Sequence, residues 1–221
     1  MKKTELSSRS NREPLYGVNP VLEALRGNRK IEEIVVAEGA HQDRLRAARY
    51  ADADELLESV AARIGTGTEP LVVVLDGVED PRNLGAILRT AECAGVQGVF
   101  MGERRAVGLT ETVAKAAAGA VEYVPVARVT NLTRLIERLK ERNVWVVGTA
   151  ADAPLAYTEW DWTRSSAVVL GGEGSGLHRL VRERCDVLVR IPVSGRIESL
   201  NVSVAAGVVL YEAQRQRTMA K

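Results

Sequence analysis

What the chain lacks narrows its reading first. There are two cysteines, Cys93 and Cys185, too few and too far apart for a disulfide framework or a metal cluster, so both read as small buried hydrophobes. No apolar run approaches the roughly 20 residues of a membrane-spanning helix. Met1-Lys2-Lys3-Thr4-Glu5 leads into polar residues instead of the apolar centre of a signal peptide, so a cytoplasmic protein with no membrane partner is expected. A charge excess is missing too: 30 Lys and Arg against 29 Asp and Glu leave a formal +1, which is no overall footprint for nucleic acid. The basic residues are unevenly placed, with Lys2, Lys3, Arg9, Arg12, Arg26, Arg29 and Lys30 near the start and Arg182, Arg184, Arg190 and Arg196 late in the chain. A mixed solvated surface accounts for both groups, and charge alone favours that over a local phosphate patch.

What is present is an ordinary globular composition, 46% hydrophobic and 27% charged over 221 residues, enough for one medium domain or one domain with a small appendage. Residues 1–14 read as a flexible arm. Asn19-Pro20 reads as a helix cap followed by proline at the first helical position, Gly27 closes the helix Val21–Arg26, and Ile31–Ala37 has strand character. Asp52–Ile64 suits a helix, and residues 65–70, rich in glycine and ending in proline, read as a hinge.

Beyond Pro70 the pattern becomes regular. Strands are expected at 71–76 (LVVVLD), 98–101, 123–129, 144–149, 167–172 and 187–192, alternating with helices at 83–94, 110–118, 131–142 and 177–184, and a final helix opening at Ser199. Continuous Val/Leu strands between helices indicate an α/β fold, a parallel sheet covered on both faces. Ligands of such sheets sit beyond the carboxyl ends of the strands, where the turns at 76–85, 148–152, 171–176 and 192–201 gather.

Three of these turns carry chemistry-bearing residues. In LDGVEDPRNLGAILRTAECAG, Asp80-Pro81 makes a turn, Asn83 is placed as an N-cap, and Arg89 lies on the helix that follows. Capping alone explains Asn83, and an arginine on a helix is ordinarily solvated. VVLGGEGSGL runs a strand into four glycines, leaving backbone N–H groups free to approach a ligand. It fits neither the phosphate P-loop nor the dinucleotide glycine pattern. Glu173 inside it either binds a ligand or holds a basic residue, and His178 just beyond reads as a helix-surface residue. In IPVSGRIESLNVSVA a loop leads into a helix with Ser199 as N-cap, so Ser199, Asn201 and Ser203 form either a capping cluster or one side of a ligand site.

Taken together, DPxNxGAxLRxA, LGGEGSGL and IPVxGxxxSLNVSVAAGVVLYEA, in this order from about Leu71 to Arg217, resemble the signature motifs of the SpoU branch of the SPOUT RNA ribose methyltransferases, most closely those that methylate a guanosine of 23S rRNA. LYGVNPVLEALRGNRKIEEIVVAEG resembles the start of that subgroup's small RNA-binding domain, although between Ala37 and Pro70 this chain keeps only about half the length expected. The resemblance implies four segments: the arm at 1–14, an abbreviated N-terminal substrate-binding segment at 15–50, a linker helix and hinge at 51–70, and a catalytic domain at 71–221 whose C-terminal part is tied in a trefoil knot.

The resemblance further implies S-adenosylmethionine as methyl donor, held mainly by backbone groups at Thr149, Gly171, Ile191 and Leu200. It implies Arg89 at the reacting hydroxyl, Asn83 and Asn201 in active-site hydrogen bonding, Glu173 orienting Arg89 or the substrate, and Ser199 in the same network. Metal has no part in that chemistry, RNA is the substrate, and a homodimer is the working form. Val202, Ala205, Ala206, Val209, Leu210 and Ala213 make a stripe on the last helix that suits either the dimer contact or the chain's own core. The alternatives to rRNA methylation are methylation of tRNA and a non-catalytic RNA-binding or ribosome-assembly protein of the same fold.

Overall fold

The computed structural model describes residues 50–174, 176–197 and 199–220. The arm and nearly all of the 15–50 segment, with the helix and strand expected there, lie outside the described residues.

LVVVLD forms β1 (Leu71–Asp76), buried along its whole length. Alternation along it sends side chains to opposite faces of the sheet. Leu71, Val73 and Leu75 join one core, with Leu84, Ile87 and Leu88 of α2 (Pro81–Cys93) and Val209 and Leu210 of α6 (Val202–Met219). Val72 and Val74 join the other, with Leu56, Leu57 and Val60 of α1 (Ala53–Ala61) and Leu135, Ile136 and Leu139 of α4 (Leu132–Glu141). The remaining elements are β2 (Gly98–Gly102), α3 (Glu111–Ala116), β3 (Val126–Val129), β4 (Trp145–Thr149), β5 (Leu155–Ala156), β6 (Ser166–Gly171), α5 (Arg179–Arg184) and β7 (Val187–Arg190). The seven strands form one sheet in the order β3-β2-β1-β6-β4-β7-β5, and every pairing is parallel.

The expected α/β architecture is therefore present, with corrections at the ends of elements. Asp80, not Asn83, caps α2: its carboxylate accepts from the Arg82 N–H, and Pro81 takes the first helical position. The strand expected from Tyr123 starts at Val126, because Ala120–Glu122 turns as a 3₁₀ helix ahead of Pro125. The helix expected from Leu177 starts at Arg179. Ser199 does not cap the last helix; Asn201 does, its Oδ1 accepting from the Ser203 N–H at 2.9 Å. In the stripe on that helix, Val202, Ala206, Val209, Leu210 and Ala213 are buried in the chain's own core, so the core alternative is the one realised.

The C-terminal end of α6 is fastened as firmly as its start. The Arg217 guanidinium donates to the carbonyls of Glu69, Pro70, Trp162 and Arg164, and the Gln216 carboxamide accepts from the Trp162 N–H. Burial works against the Arg217 charge and lowers its pKa from the ordinary arginine value.

Cys185 follows α5 and packs on β4, where a Cβ added to Gly148 would lie 2.8 Å from its sulfur. Burial pushes the thiol pKa from 9.0 up to about 12, with the neighbouring Asp186 carboxylate adding to the effect. Cys93, in contrast, is exposed. A thiol-alkylating reagent at pH 8 is therefore expected to modify Cys93 rapidly and Cys185 only on unfolding; mass mapping of two fast sites would contradict this. Because the folded-state pKa is raised, the stabilisation from keeping this thiol neutral is intact below about pH 9 and is lost as pH rises towards 12.

Candidate functional site

The carboxyl ends of β1, β6, β4 and β7 lie side by side, with Asp76 in register with Gly171 and Thr149 in register with Val189. Three of the expected motifs meet there through side chains. Asn83, at the third position of α2, turns inward and is 7% exposed. Its Nδ2 donates to Glu173 Oε1 at 2.6 Å, and its Oδ1 accepts from Asn201 Nδ2 at 3.1 Å. Asn201 Nδ2 also donates to the same Glu173 oxygen at 2.8 Å, while Asn201 Oδ1 accepts from the Ser203 hydroxyl at 2.6 Å. Glu173 Oε1 thus takes two amide donors, and its second oxygen takes none among the described residues. Ser203, read as either cap or site, belongs to the cap.

Losing Glu173 would strand donors on Asn83 and Asn201. Glu173→Ala is expected to cost about 1–3 kcal/mol of stability, and Glu173→Gln less, because one acceptor oxygen remains. Thermal denaturation of the two variants checks this, and equal losses would mean that the oxygen is not what holds the amides.

The glycine-rich turn is built by close approach. A Cβ on Gly171 would lie 2.2 Å from the Gly176 carbonyl carbon, and one on Gly172 would lie 2.0 Å from the Gly77 oxygen. Gly172 N–H donates to the Asp76 carbonyl, and Gly176 N–H to the Gly172 carbonyl. Gly174 and Gly176 have φ of 80° and 62°, the left-handed region that glycine enters without strain.

Beside this turn lies a second cluster. The Asp76 carboxylate, 4% exposed, accepts from the His178 backbone N–H at 2.7 Å and meets His178 Nδ1 at 2.8 Å. His178 Nε2 faces Arg105 Nη1 at 3.2 Å. Guanidinium only donates, so Nε2 is the acceptor and the imidazole proton sits on Nδ1, towards Asp76. The expectation of a helix-surface histidine is corrected: His178 precedes the first turn of α5 and is tied to β1. The one signal for this pair is the ending of LVVVLD, where a carboxylate closes an otherwise apolar buried strand.

Gly77, Val78, Glu79, Asp80, Asn83, Arg105, Glu173, His178 and Val202 surround a cleft of about 660 Å³. A second cleft of about 490 Å³ lies between Ala151 and Asp152 on one side and 190–197 on the other, with Ile191 in its wall. Thr149 ends β4 below it, its hydroxyl donating to the Val169 carbonyl at 3.1 Å. Leu200 is 40% exposed just before the Asn201 cap. Two expected residues are not drawn into the cluster. Arg89 is exposed on α2, and Ser199 is exposed ahead of α6, neither with a hydrogen-bond partner among the described residues. The late arginines are mostly spent locally: Arg182 pairs with Asp152, Arg184 with Glu137, and Arg190 donates to the carbonyls of Ala153 and Pro154.

Comparison with known proteins identifies a family. Residues 70–211 match the model of the SpoU rRNA Methylase family, and 14–57 match that of RNA 2'-O ribose methyltransferase substrate binding. The 23S rRNA (guanosine-2'-O-)-methyltransferase RlmB of Nitrosomonas europaea is 53% identical over 180 residues, 81% of this chain and 66% of that relative. The AdoMet-bound rRNA methyltransferase of Sinorhizobium meliloti superposes with a TM-score of 0.66 at 33% identity, over 76% of this chain and 61% of that one. The TrmH/SpoU tRNA modifying enzyme of A. aeolicus superposes with a TM-score of 0.63 at 28% identity, over 81% of this chain and 85% of that one. The fold and the matches together define the class, an RNA 2'-O-ribose methyltransferase. The chain belongs to the SpoU rRNA methylase family.

Proposed function

We propose that this protein transfers the methyl group of S-adenosylmethionine to the ribose 2'-hydroxyl of a guanosine in 23S rRNA. The observation that carries the reading is the Asn83–Glu173–Asn201 cluster, which joins three separate motifs at one edge of the sheet. The donor fits the cleft that has Ile191 in its wall, whose volume of about 490 Å³ lies within the ~300–1,000 Å³ of small-molecule sites. Thr149, Gly171, Ile191 and Leu200 are the residues assigned to hold it. When bound, the donor supplies an electrophilic methyl carbon on a sulfonium.

The chain's own residues place the ribose oxygen in line with that carbon, an arrangement that supplies several kcal/mol of the barrier reduction. Asn83 and Asn201 present amides to the ribose, held in orientation by Glu173, and Ser199, exposed and outside that cluster in this structure, is assigned to join them from the loop ahead of α6 when the substrate is seated. Arg89 orients the nucleotide's phosphate and stabilises charge as it develops on the 2'-oxygen. As the C–O bond forms, the C–S bond breaks and the hydroxyl proton leaves to solvent. Arg89 is not assigned as the base, because a guanidinium keeps its proton at neutral pH.

The same reading divides the chain as the resemblance implies, with the short 15–50 segment binding RNA ahead of a knotted catalytic domain. Arg190 at the end of β7 reaches back to the carbonyls of Ala153 and Pro154 and ties β7 to the segment that leads into β5. Val193, Ile197, Leu200 and Val204 are exposed apolar residues around the start of α6, and Tyr211 is exposed at its middle; they support a homodimer through this region. Among the described residues no helix is long and apolar enough to cross a membrane; a cytoplasmic site of action is part of the same proposal. A tRNA substrate is the second reading, supported by the superposition on the A. aeolicus tRNA modifying enzyme over 85% of that chain.

Mapping ribose methylation in rRNA and tRNA from cells with and without the gene tests the proposal. One 23S guanosine losing its methyl group is expected; a lost tRNA methyl would establish the second reading. No lost methyl together with no heat of S-adenosylmethionine binding would leave a non-catalytic RNA-binding protein.

A further inference from the structure

The cleft of about 660 Å³ holds an unusual mixture for an RNA-facing surface: three carboxylates, Glu79, Asp80 and Glu173, and one guanidinium, Arg105. A phosphate would meet more repulsion than attraction there. An uncharged group that carries hydrogen-bond donors on one edge and acceptors on the next would satisfy both signs. Among the RNA bases guanine has that arrangement, with N1–H and the N2 amino group side by side and O6 and N7 adjacent to them. Adenine and cytosine each offer one amino group beside a ring-nitrogen lone pair, so neither gives a single carboxylate two adjacent N–H donors, and uracil offers a single N–H between two carbonyls.

We infer that this cleft is a guanine-reading subsite, in which the Glu79 carboxylate accepts from N1–H and the N2 amino group while Arg105 donates to O6 and N7. The inference rests on the proposed methylation of a guanosine and assigns that choice to particular residues. Of the three carboxylates, Asp80 is committed to capping α2 and Glu173 to the two asparagine amides. Glu79 is exposed and has no ion-pair or hydrogen-bond partner among the described residues. Arg105 is held from behind. One N–H goes to His178 Nε2, His178 is fixed in turn by the buried Asp76, and the other guanidinium N–H groups have no partner among the described residues and remain for a ligand. The Arg105 backbone sits at φ 51°, a conformation costly for a non-glycine residue and maintained where the surroundings fix it. Asn83 lines the same cleft, so a base seated there would have its ribose next to the asparagine–glutamate cluster.

The test is titration of isotopically labelled full-length protein with guanosine, inosine and adenosine 5'-monophosphates, followed by NMR through the His178 ring and Glu79 backbone signals. The guanosine nucleotide is expected to bind at least about tenfold tighter than the adenosine one, with inosine, which lacks the 2-amino group, in between. Glu79→Gln is expected to erase the difference between guanosine and inosine, and Arg105→Ala to weaken guanosine binding by about tenfold or more. Equal binding of the guanosine and adenosine nucleotides, no guanosine binding at millimolar concentration, or a preference surviving both substitutions overturns the subsite. Calorimetry with S-adenosylmethionine on the same samples separates the two ideas. Donor binding without guanine preference removes only the subsite. Absent donor binding removes the methyltransferase reading, while a guanine preference would still establish the cleft.

Discussion

Replacing Arg89 by alanine is expected to lower methyl transfer about 10²–10³-fold while leaving the melting temperature almost unchanged. The first half follows from its assigned role, because removing one preorganised donor aimed at developing negative charge typically costs that much. The second half follows from its position. Arg89 is exposed on α2 and makes no hydrogen bond among the described residues, so the folded chain loses little. It lies six residues beyond Asn83, on a different face of the helix, and therefore outside the asparagine–glutamate cluster. An exposed arginine kept away from the nearest polar network is suited to act when RNA, or a second copy of the chain, covers that face. Arg89→Lys is expected to recover only part of the activity, since a point charge replaces a planar fork. Single-turnover transfer of labelled methyl to rRNA measures both variants, and wild-type turnover by Arg89→Ala would remove the residue from the mechanism.

The second large effect is expected at Gly171, and it divides the other way. Gly171→Ala would drive a methyl group to 2.2 Å from the Gly176 carbonyl carbon and 2.4 Å from its oxygen. Both are backbone atoms, so no rotamer change relieves the clash and the turn itself must move. The expected cost is about 3 kcal/mol, with S-adenosylmethionine affinity falling at least tenfold, because displacing this turn disturbs the amides assigned to the donor. Calorimetry at a temperature where the variant remains folded separates lost binding from lost folding. Unchanged donor affinity would show that Gly171 serves packing alone.

Much of this was legible in the sequence, for physical reasons. LVVVLD, short, rich in β-branched valine and ended by a turn, reads as a strand covered on both faces, and glycine after such a strand marks a turn that approaches something closely. The chemistry of Asn83, Glu173 and Asn201 was assigned by resemblance, while their mutual bonding came from the structure, since Glu173 lies 90 residues from Asn83 and 118 separate Asn83 from Asn201. Caps were misplaced because several residues competed for one role. Asp80 and Asn83 both suit an N-cap, and Pro81 decided it by fixing the first helical position. Ser199 lost to Asn201 because the asparagine serves the cap with its oxygen and Glu173 with its nitrogen. The Asp76–His178–Arg105 chain was not legible, because its members lie far apart in sequence and each alone reads as a surface or strand-end residue.

The last helix meets both ends of the sheet. Over 18 residues α6 extends about 27 Å. Its first turn is bonded through Asn201 to Glu173, near the carboxyl edge of the sheet, while Arg217 in its final turn grips the carbonyls of Glu69, Pro70, Trp162 and Arg164, which precede β1 and β6. Such a strut links the opening of the catalytic edge to the opening of the opposite edge in one cooperative unit. Amide protons of β1, β6 and the middle of α6 should therefore exchange together, at the rate of global unfolding. Trimming the chain before Arg217 should loosen the distant glycine turn as well as the strand entrances, although no residue of the turn would have been touched.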